Sequence, residues 1–305
     1  MPEGHTVHRI ARLFDSLFRG ERVLATSPQG RFVQGAKALT GRVITRVQAQ
    51  GKQLFIGWDN DLVVRVHLGI YGAWDVATLE GGQARAGGPA TDSLGAPRVS
   101  RARLAEWESE RSEDIPFPPP PVGAVRLRLE TDTAVADLRG PTACEVITPD
   151  QEKEHKNQLG PDPLLHRGIK GEEVFVRSLA ATRRPLGITL MDQSVVSGIG
   201  NVYRAELLFR HGLDPFAPAA RLEEAIAREL WRDWTRLLKD GVRTGVMVTR
   251  DDLDSSLARK ALRDPSLRHY VYKRQGQQCL RCGAVVALDI MQARKLYFCP
   301  GCQVH

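Results

Sequence analysis

Four of the five cysteines crowd into the end of the chain as two pairs, Cys279-Leu280-Arg281-Cys282 and Cys299-Pro300-Gly301-Cys302, separated by residues 283–298. Each CxxC knuckle can present two sulfurs to one tetrahedral ion, and this separation falls inside the range of four-thiolate zinc sites. A redox dithiol is the other use of such a pair, but two matched pairs favour metal. A closed shell of four sulfurs leaves no vacant position for a substrate, so the expected Zn2+ is one structural ion. The segment it staples reads as a β-hairpin with Arg294 and Lys295 near its tip. A rigid tip carrying a cation suits a phosphate. The opening MPEGHTVHRIARLF has no signal-peptide pattern, so a cytoplasmic, reducing setting is expected, which favours metal ligation over disulfides. The fifth cysteine, Cys144, reads as a buried apolar side chain.

A chain of 305 residues and 33.8 kDa is long enough for about two domains. With 42% hydrophobic and 26% charged residues it is neither disordered nor membrane-embedded. No apolar run approaches the roughly 18 residues of a spanning helix. The formal net charge is +7, and its distribution says more than its sum. Residues 1–150 hold 18 Lys and Arg against 18 Asp and Glu, whereas residues 151–305 hold 25 against 18. Of those 25, 11 fall between Arg243 and Lys295, against 5 acids in the same span. A basic domain joined to a neutral one fits a polyanion such as nucleic acid.

The first half is strand-like. After an amphipathic helical segment over 7–18, the stretches 42–47, 53–58, 62–67, 125–130 and 134–138 alternate or run apolar between Gly and Asn/Asp breaks. Short strands without intervening helices predict a β-sandwich or barrel. Residues 81–121, rich in Gly, Ser, Pro and charge, read as a long mobile insertion. From about 148 the periodicity turns helical, with helices expected over 172–181, 186–195, 201–211 and 222–238, broken at Gly198-Ile199-Gly200. The polar stretch 251–266 reads as a loop. The expected domains are therefore 1–147, 148–250 and 251–305.

Removal of Met1 before a small residue would leave Pro2 as the first residue, a secondary amine. An α-amine titrates near pH 7.7–8.0 in model peptides, so a nucleophilic fraction exists at neutral pH. Attack on an aldehyde-like carbon gives an iminium directly, an electron sink for elimination chemistry. Glu3 beside it is a candidate general acid.

Together these pieces resemble one family. Pro2-Glu3-Gly4, Gly51-Lys52 before a strand, His67-Leu68-Gly69-Ile70-Tyr71-Gly72, Gly198-Ile199-Gly200-Asn201-Val202-Tyr203-Arg204 and the terminal Cys-Pro-Gly-Cys-Gln are similar, in order, to the formamidopyrimidine-DNA glycosylase/endonuclease VIII family. The opening PEGHT resembles the endonuclease VIII branch, in particular its actinobacterial members. The resemblance implies an α+β multidomain fold: a β-sandwich with an N-terminal helix, a helix-two-turns-helix domain, and a C-terminal β-hairpin zinc finger. It implies a cytoplasmic, nucleoid-associated bacterial monomer whose partner is damaged double-stranded DNA.

Carried over by position, Pro2 would attack the sugar C1′ and Glu3 would be the acid for ring opening and base departure. Lys52 would contact phosphate in β-elimination, and Arg294 would grip the phosphate in δ-elimination. Asn201 would bind the backbone at a Gly-rich turn. A flipped base leaves a gap in the stack, which apolar wedges fill. The residues after His67 that match the wedge are Gly69, Ile70 and Tyr71; Ile70 and Tyr71 can fill a gap, whereas Gly69 stands where relatives have glutamine. Thr6 likewise stands where many relatives have glutamate, and His5 and His8 read as solvated helix-face histidines. The activity implied is a bifunctional DNA glycosylase and abasic-site lyase of base excision repair, acting on oxidised pyrimidines by β,δ-elimination. The alternatives are an oxidised-purine glycosylase and a non-catalytic damaged-DNA-binding protein.

Overall fold

Apolar residues at 7, 10, 11, 14 and 18 recur at helical spacing and make helix α1 (Gly4–Phe18), burying Val7, Ile10, Ala11, Phe14 and Phe18. The computed structural model describes residues 2–80, 83–84, 93–95, 117–166 and 168–303. Most of the expected insertion 81–121 lies outside these residues. The chain divides into two units, Met1–Pro2 with Thr6–Lys156, and Glu3–His5 with Asn157–His305.

In the first unit α1 is followed by β1 (Arg22–Thr26), α2 (Val33–Leu39), β2 (Arg42–Gln50), β3 (Gln53–Trp58), β4 (Val63–His67) and β5 (Ala73–Glu80). Short β6 (Gln83–Ala84) and β7 (Ser93–Gly95) pair with β5, and β8 (Val125–Glu130), β9 (Ala134–Arg139), β10 (Ala143–Ile147) and helix α3 (Pro149–Asn157) complete it. The strands run antiparallel in the order β10-β4-β3-β2-β1-β8-β9-β5-β6. Within the path β1 meets β2 through only two residue pairs, so it reads as two half-sheets. Both halves bury one core with α1: Leu54, Ile56 and Val66 from one, Trp74, Leu127 and Leu138 from the other. The Phe14 ring sits edge-on to Trp74, centroids 4.7 Å apart. Helix α3 is tied to β2 by Glu152, which accepts from Arg46, and by Lys156, whose Nζ donates to Gln48 Oε1 at 2.6 Å.

The second unit holds α4 (Ile169–Ala180), α5 (Leu186–Thr189), α6 (Asn201–Arg210), α7 (Glu224–Thr244), α8 (Ser255–Ala261) and the hairpin of β11 (Ala287–Met291) and β12 (Arg294–Phe298). Phe175, Leu190, Tyr203, Leu207, Trp231 and Trp234 fill its helical core. A second cluster, with Phe209, Tyr270, Val286 and Tyr297, sits under the hairpin.

Three expectations need correction. The helix expected over 186–195 ends at Thr189, because the Asp192 side chain takes the Ser194 N–H and hydroxyl, at 2.9 and 2.6 Å, and folds the chain into turns. The loop expected over 251–266 contains α8, nucleated by Asp254 accepting from Ser256 and Leu257 N–H, both at 2.8 Å. His5 and His8 are buried, not solvated, and the His5 ring packs edge-on to Tyr203.

Candidate functional site

The four cysteines come together. Cys279 and Cys302 Sγ lie 3.8 Å apart, Cys282 and Cys299 Sγ 3.4 Å apart, and all four sulfurs fall within 4.8 Å of one another. Zn–S bonds of about 2.3 Å in a tetrahedron set an S···S edge of about 3.8 Å, so the donor set and spacing fit the ion. Knuckle turns hold the sulfurs: Cys279 N–H donates to Ala284 O at 2.7 Å, and Cys299 N–H to Gln303 Oε1 at 2.8 Å. A backbone hydrogen bond at Ala284 brings the Cys282 thiol down to about 7, while burial and neighbouring thiols push Cys299 and Cys302 up. Four thiolates this close repel one another, and a dication removes that conflict.

Between the knuckles the β11–β12 turn is Gln292-Ala293, with φ of 49° and 57°, the backbone of a type I′ hairpin. Arg294 follows it at the exposed start of β12. The next residue fastens this strand to α6, because Lys295 O accepts from Asn201 Nδ2 at 2.8 Å and from Arg204 Nη2 at 3.1 Å. Arg204 also donates to Asn201 Oδ1 at 2.5 Å.

Glu3 caps the same helix end. Its Oε1 accepts from Val202 N–H at 2.8 Å, and its Oε2 from Gly200 and Tyr203 N–H at 3.1 and 3.3 Å. These are N–H groups that a helix start leaves without internal partners, and the helix dipole favours a negative charge there. A Cβ at Gly200 would sit 2.4 Å from Glu3 Cδ, which is why the turn is glycine. The structure thus gathers Glu3, Asn201 and the strand of Arg294 around the N-terminus of α6. Pro2, adjacent to Glu3 in the chain, is buried.

Two residues of this site escape the sequence reading. Arg204 is 1% exposed, and its Nε has no hydrogen-bond partner among the described residues. Burial lowers its pKa to about 10, with Arg294 adding repulsion and Glu3 opposing it. Two guanidinium charges therefore share one region beside the helix terminus. Glu206, fully buried on α6, accepts from Thr249 Oγ1 at 2.5 Å and from the N–H groups of Tyr270, Val271 and Tyr272 at 2.8–2.9 Å. It latches the lead-in to the cysteine module onto α6. Charged residues inside an otherwise apolar helix, NVYRAELLF, are the signal that could have revealed both.

In the first unit Gly51-Lys52 forms the two-residue turn between β2 and β3, closed by the Gln50–Gln53 pair. His67 faces Gln53 across the ladder, and burial first, then the charges of Lys52 and Arg65, hold its pKa below the usual value. Lys52 and His67 thus lie at one end of the same strands. The loop after β4 crosses to β5 in the other half-sheet and presents Ile70, 44% exposed, and Tyr71, 80% exposed. Gly69 has φ +66°, and a Cβ there would meet Thr142 Oγ1 at 1.9 Å. This close approach of Thr142 explains why residue 69 carries no side chain.

Fold and site define a class, the DNA glycosylases built on an N-terminal sheet domain and a helix-two-turns-helix domain. Sequence profiles described as the formamidopyrimidine-DNA glycosylase N-terminal domain and H2TH domain match residues 1–144 and 159–252. The chain is 39% identical to Endonuclease 8 1 of Mycobacterium tuberculosis over 99% of this chain and 100% of that protein. It is 28% identical to Endonuclease 8 of Salmonella schwarzengrund over 99% and 100%. The fold matches a Lactococcus lactis formamidopyrimidine-DNA glycosylase crystallised with abasic-site DNA, with TM-score 0.71, 21% identity and full coverage of both chains. It also matches the Thermus thermophilus protein, with TM-score 0.69, 24% identity, and 99% and 98% coverage. The chain belongs to the formamidopyrimidine-DNA glycosylase/endonuclease VIII family, base-excision-repair glycosylases with abasic-site lyase activity. Among the described residues no helix is long and apolar enough to cross a membrane.

Proposed function

We propose that this chain excises oxidised pyrimidines from double-stranded DNA and nicks the strand by β,δ-elimination. The observation that carries the reading is Glu3, a buried carboxylate held by three N–H groups at the start of α6, directly after Pro2 in the chain. The preference for pyrimidines is supported by the endonuclease 8 relatives. An oxidised-purine preference and a non-catalytic damage binder are the competing readings.

In the proposed reaction the Pro2 nitrogen forms a bond to C1′ as the glycosidic bond to the damaged base breaks, the base leaving with a proton from water; the Pro2 N–H proton then passes through the Glu3 carboxylate to the ring oxygen, and the sugar ring opens to an iminium. The iminium acidifies C2′; loss of that proton breaks C3′–O and releases the 3′ phosphate. A second elimination breaks C5′–O and releases the 5′ phosphate, and water hydrolyses the imine to regenerate the amine. Lys52 and Arg294 stabilise the phosphate charge, and Asn201 fixes the strand through which Arg294 is presented. Ile70 and Tyr71 fill the space left by the extruded nucleotide. Cys279, Cys282, Cys299 and Cys302 would hold one zinc ion, whose contribution is to make the hairpin rigid.

A cleavage panel tests this: duplexes carrying thymine glycol, 5-hydroxycytosine, dihydrouracil, 8-oxoguanine or an abasic site. Fastest cleavage of an oxidised pyrimidine is expected. Fastest cleavage of 8-oxoguanine opposite cytosine overturns the pyrimidine assignment, and binding without cleavage of any duplex overturns the enzyme. Metal analysis of the purified chain should find one zinc per molecule.

A further inference from the structure

We propose that Arg281 is a positioning residue for strand cleavage, fixing the cysteine module to the far end of α6 so that the hairpin presents Arg294 correctly. Arg281 lies inside the first knuckle, and its backbone N–H donates to Cys279 Sγ at 3.4 Å. Its side chain leaves the knuckle for the C-terminus of α6, where Nη1 donates to Phe209 O at 3.3 Å and Arg210 O at 3.1 Å. These are last-turn carbonyls, where the helix dipole favours a cation; Phe209 O also accepts from Gly212 N–H at 3.0 Å. The guanidinium also lies over the rings of Phe209 and Tyr270, 4.7 and 4.8 Å from their centroids. Both rings are buried, 0% and 1% exposed, so the platform is rigid.

Helix α6 thereby holds the module at both of its ends, with Glu206 latching the lead-in between them. Its N-terminal residues Asn201 and Arg204 hold Lys295 O, the carbonyl next to Arg294. Its C-terminal carbonyls hold the knuckle through Arg281. The residues of the two end grips are 5–9 positions apart on the helix, about 8–14 Å along its axis, far enough to set an orientation and not only a position. Without Arg281 the knuckle loses its hold on the helix end, and only the Lys295 grip and the Glu206 latch on 270–272 tie the module to α6 itself, so the hairpin can shift about them and displace Arg294.

The inference rests on the proposed role of Arg294 in δ-elimination. The test uses the full zinc-loaded chain on an abasic-site duplex and compares R281A, R281K and R294A with the wild type. The first readout is the ratio of β to β,δ products at matched total cleavage, which a smaller folded fraction does not move. The second is the rate of zinc release to a chromophoric chelator. R281A is expected to raise the β share and to release zinc faster, each about threefold or more. R281K should not restore either, because an ammonium on a flexible stem has neither the planar face nor the forked donors. A wild-type ratio in R281A alongside an altered ratio in R294A overturns the inference, as does full rescue by R281K. An unaltered ratio in R294A instead refutes the role given to Arg294, and Arg281 is then judged on zinc release, where a wild-type rate overturns it.

Discussion

Gly69→Ala should destabilise the first unit well beyond what one methyl suggests. At φ +66°, a residue with a Cβ costs about 1–2 kcal/mol relative to its preferred conformations. The new Cβ would also stand 1.9 Å from Thr142 Oγ1 and 3.1 Å from Thr142 Cβ, and overpacking of this kind adds about 1–3 kcal/mol. The sum is about 2–5 kcal/mol. Thr142→Ala removes the nearer atom while leaving the Thr142 N–H to His67 O bond, 2.9 Å, available to the backbone. In that background the cost of Gly69→Ala should fall by about 1 kcal/mol or more, a coupling expected for residues in contact. Urea-dependent hydrogen exchange of peptides covering β4 and β10, which pair through His67 and Ala143, reads this locally even if the two units unfold separately. A cost below about 0.5 kcal/mol, or equal costs in both backgrounds, refutes the steric account of the loop that carries Ile70 and Tyr71. Glutamine at 69 meets the same Thr142 contact as alanine and should likewise cost less in the Thr142→Ala background.

Two further outcomes follow from the site. Glu206→Ala leaves a hydroxyl and three backbone N–H groups without their acceptor, so the second unit should lose about 3 kcal/mol or more, seen as lost exchange protection over 270–272; protection equal to wild type would refute the latch. His67 should titrate below its ordinary value, and Lys52→Ala should move it upward, because Lys52 is one cause of the depression. A folded-state pKa below the unfolded one means that this residue's contribution to stability is present above about pH 6.5 and is lost as pH falls through the folded value. Imidazole NMR shifts against pH check both; an unchanged midpoint in Lys52→Ala would contradict the assigned cause.

Much of the architecture is legible from the sequence because its signals are local. The cysteine spacing is that of a closed thiolate site, and the four sulfurs meet as such a site requires. Alternation predicts β2, β3, β4, β8 and β9 close to their observed bounds. It misses β1, β5 and β10. β1 (RVLAT) and β10 (ACEVI) are short and carry mixed polar and apolar patterns, and β5 runs directly into Gly81, where the expected insertion begins. Asp192 and Asp254 mislead for a related reason: one side chain decides whether the local backbone turns or coils, and periodicity does not register it. Arg204 and Glu206 are the more instructive omissions. Their partners, Lys295 and the 270–272 backbone, are 91 and about 64–66 residues away in the chain, so their roles exist only once α6 and the cysteine module are packed together. Gly69 is an apparent departure from the wedge pattern until Thr142 is placed beside it.

The most direct test of the central claim is borohydride trapping on a thymine glycol or abasic duplex, followed by mass spectrometry of the cross-linked peptide. A covalent adduct on the Pro2 nitrogen, absent in Pro2→Gly, is the predicted result. No adduct on any damaged duplex, or one that maps to a lysine and persists in Pro2→Gly, would contradict the account.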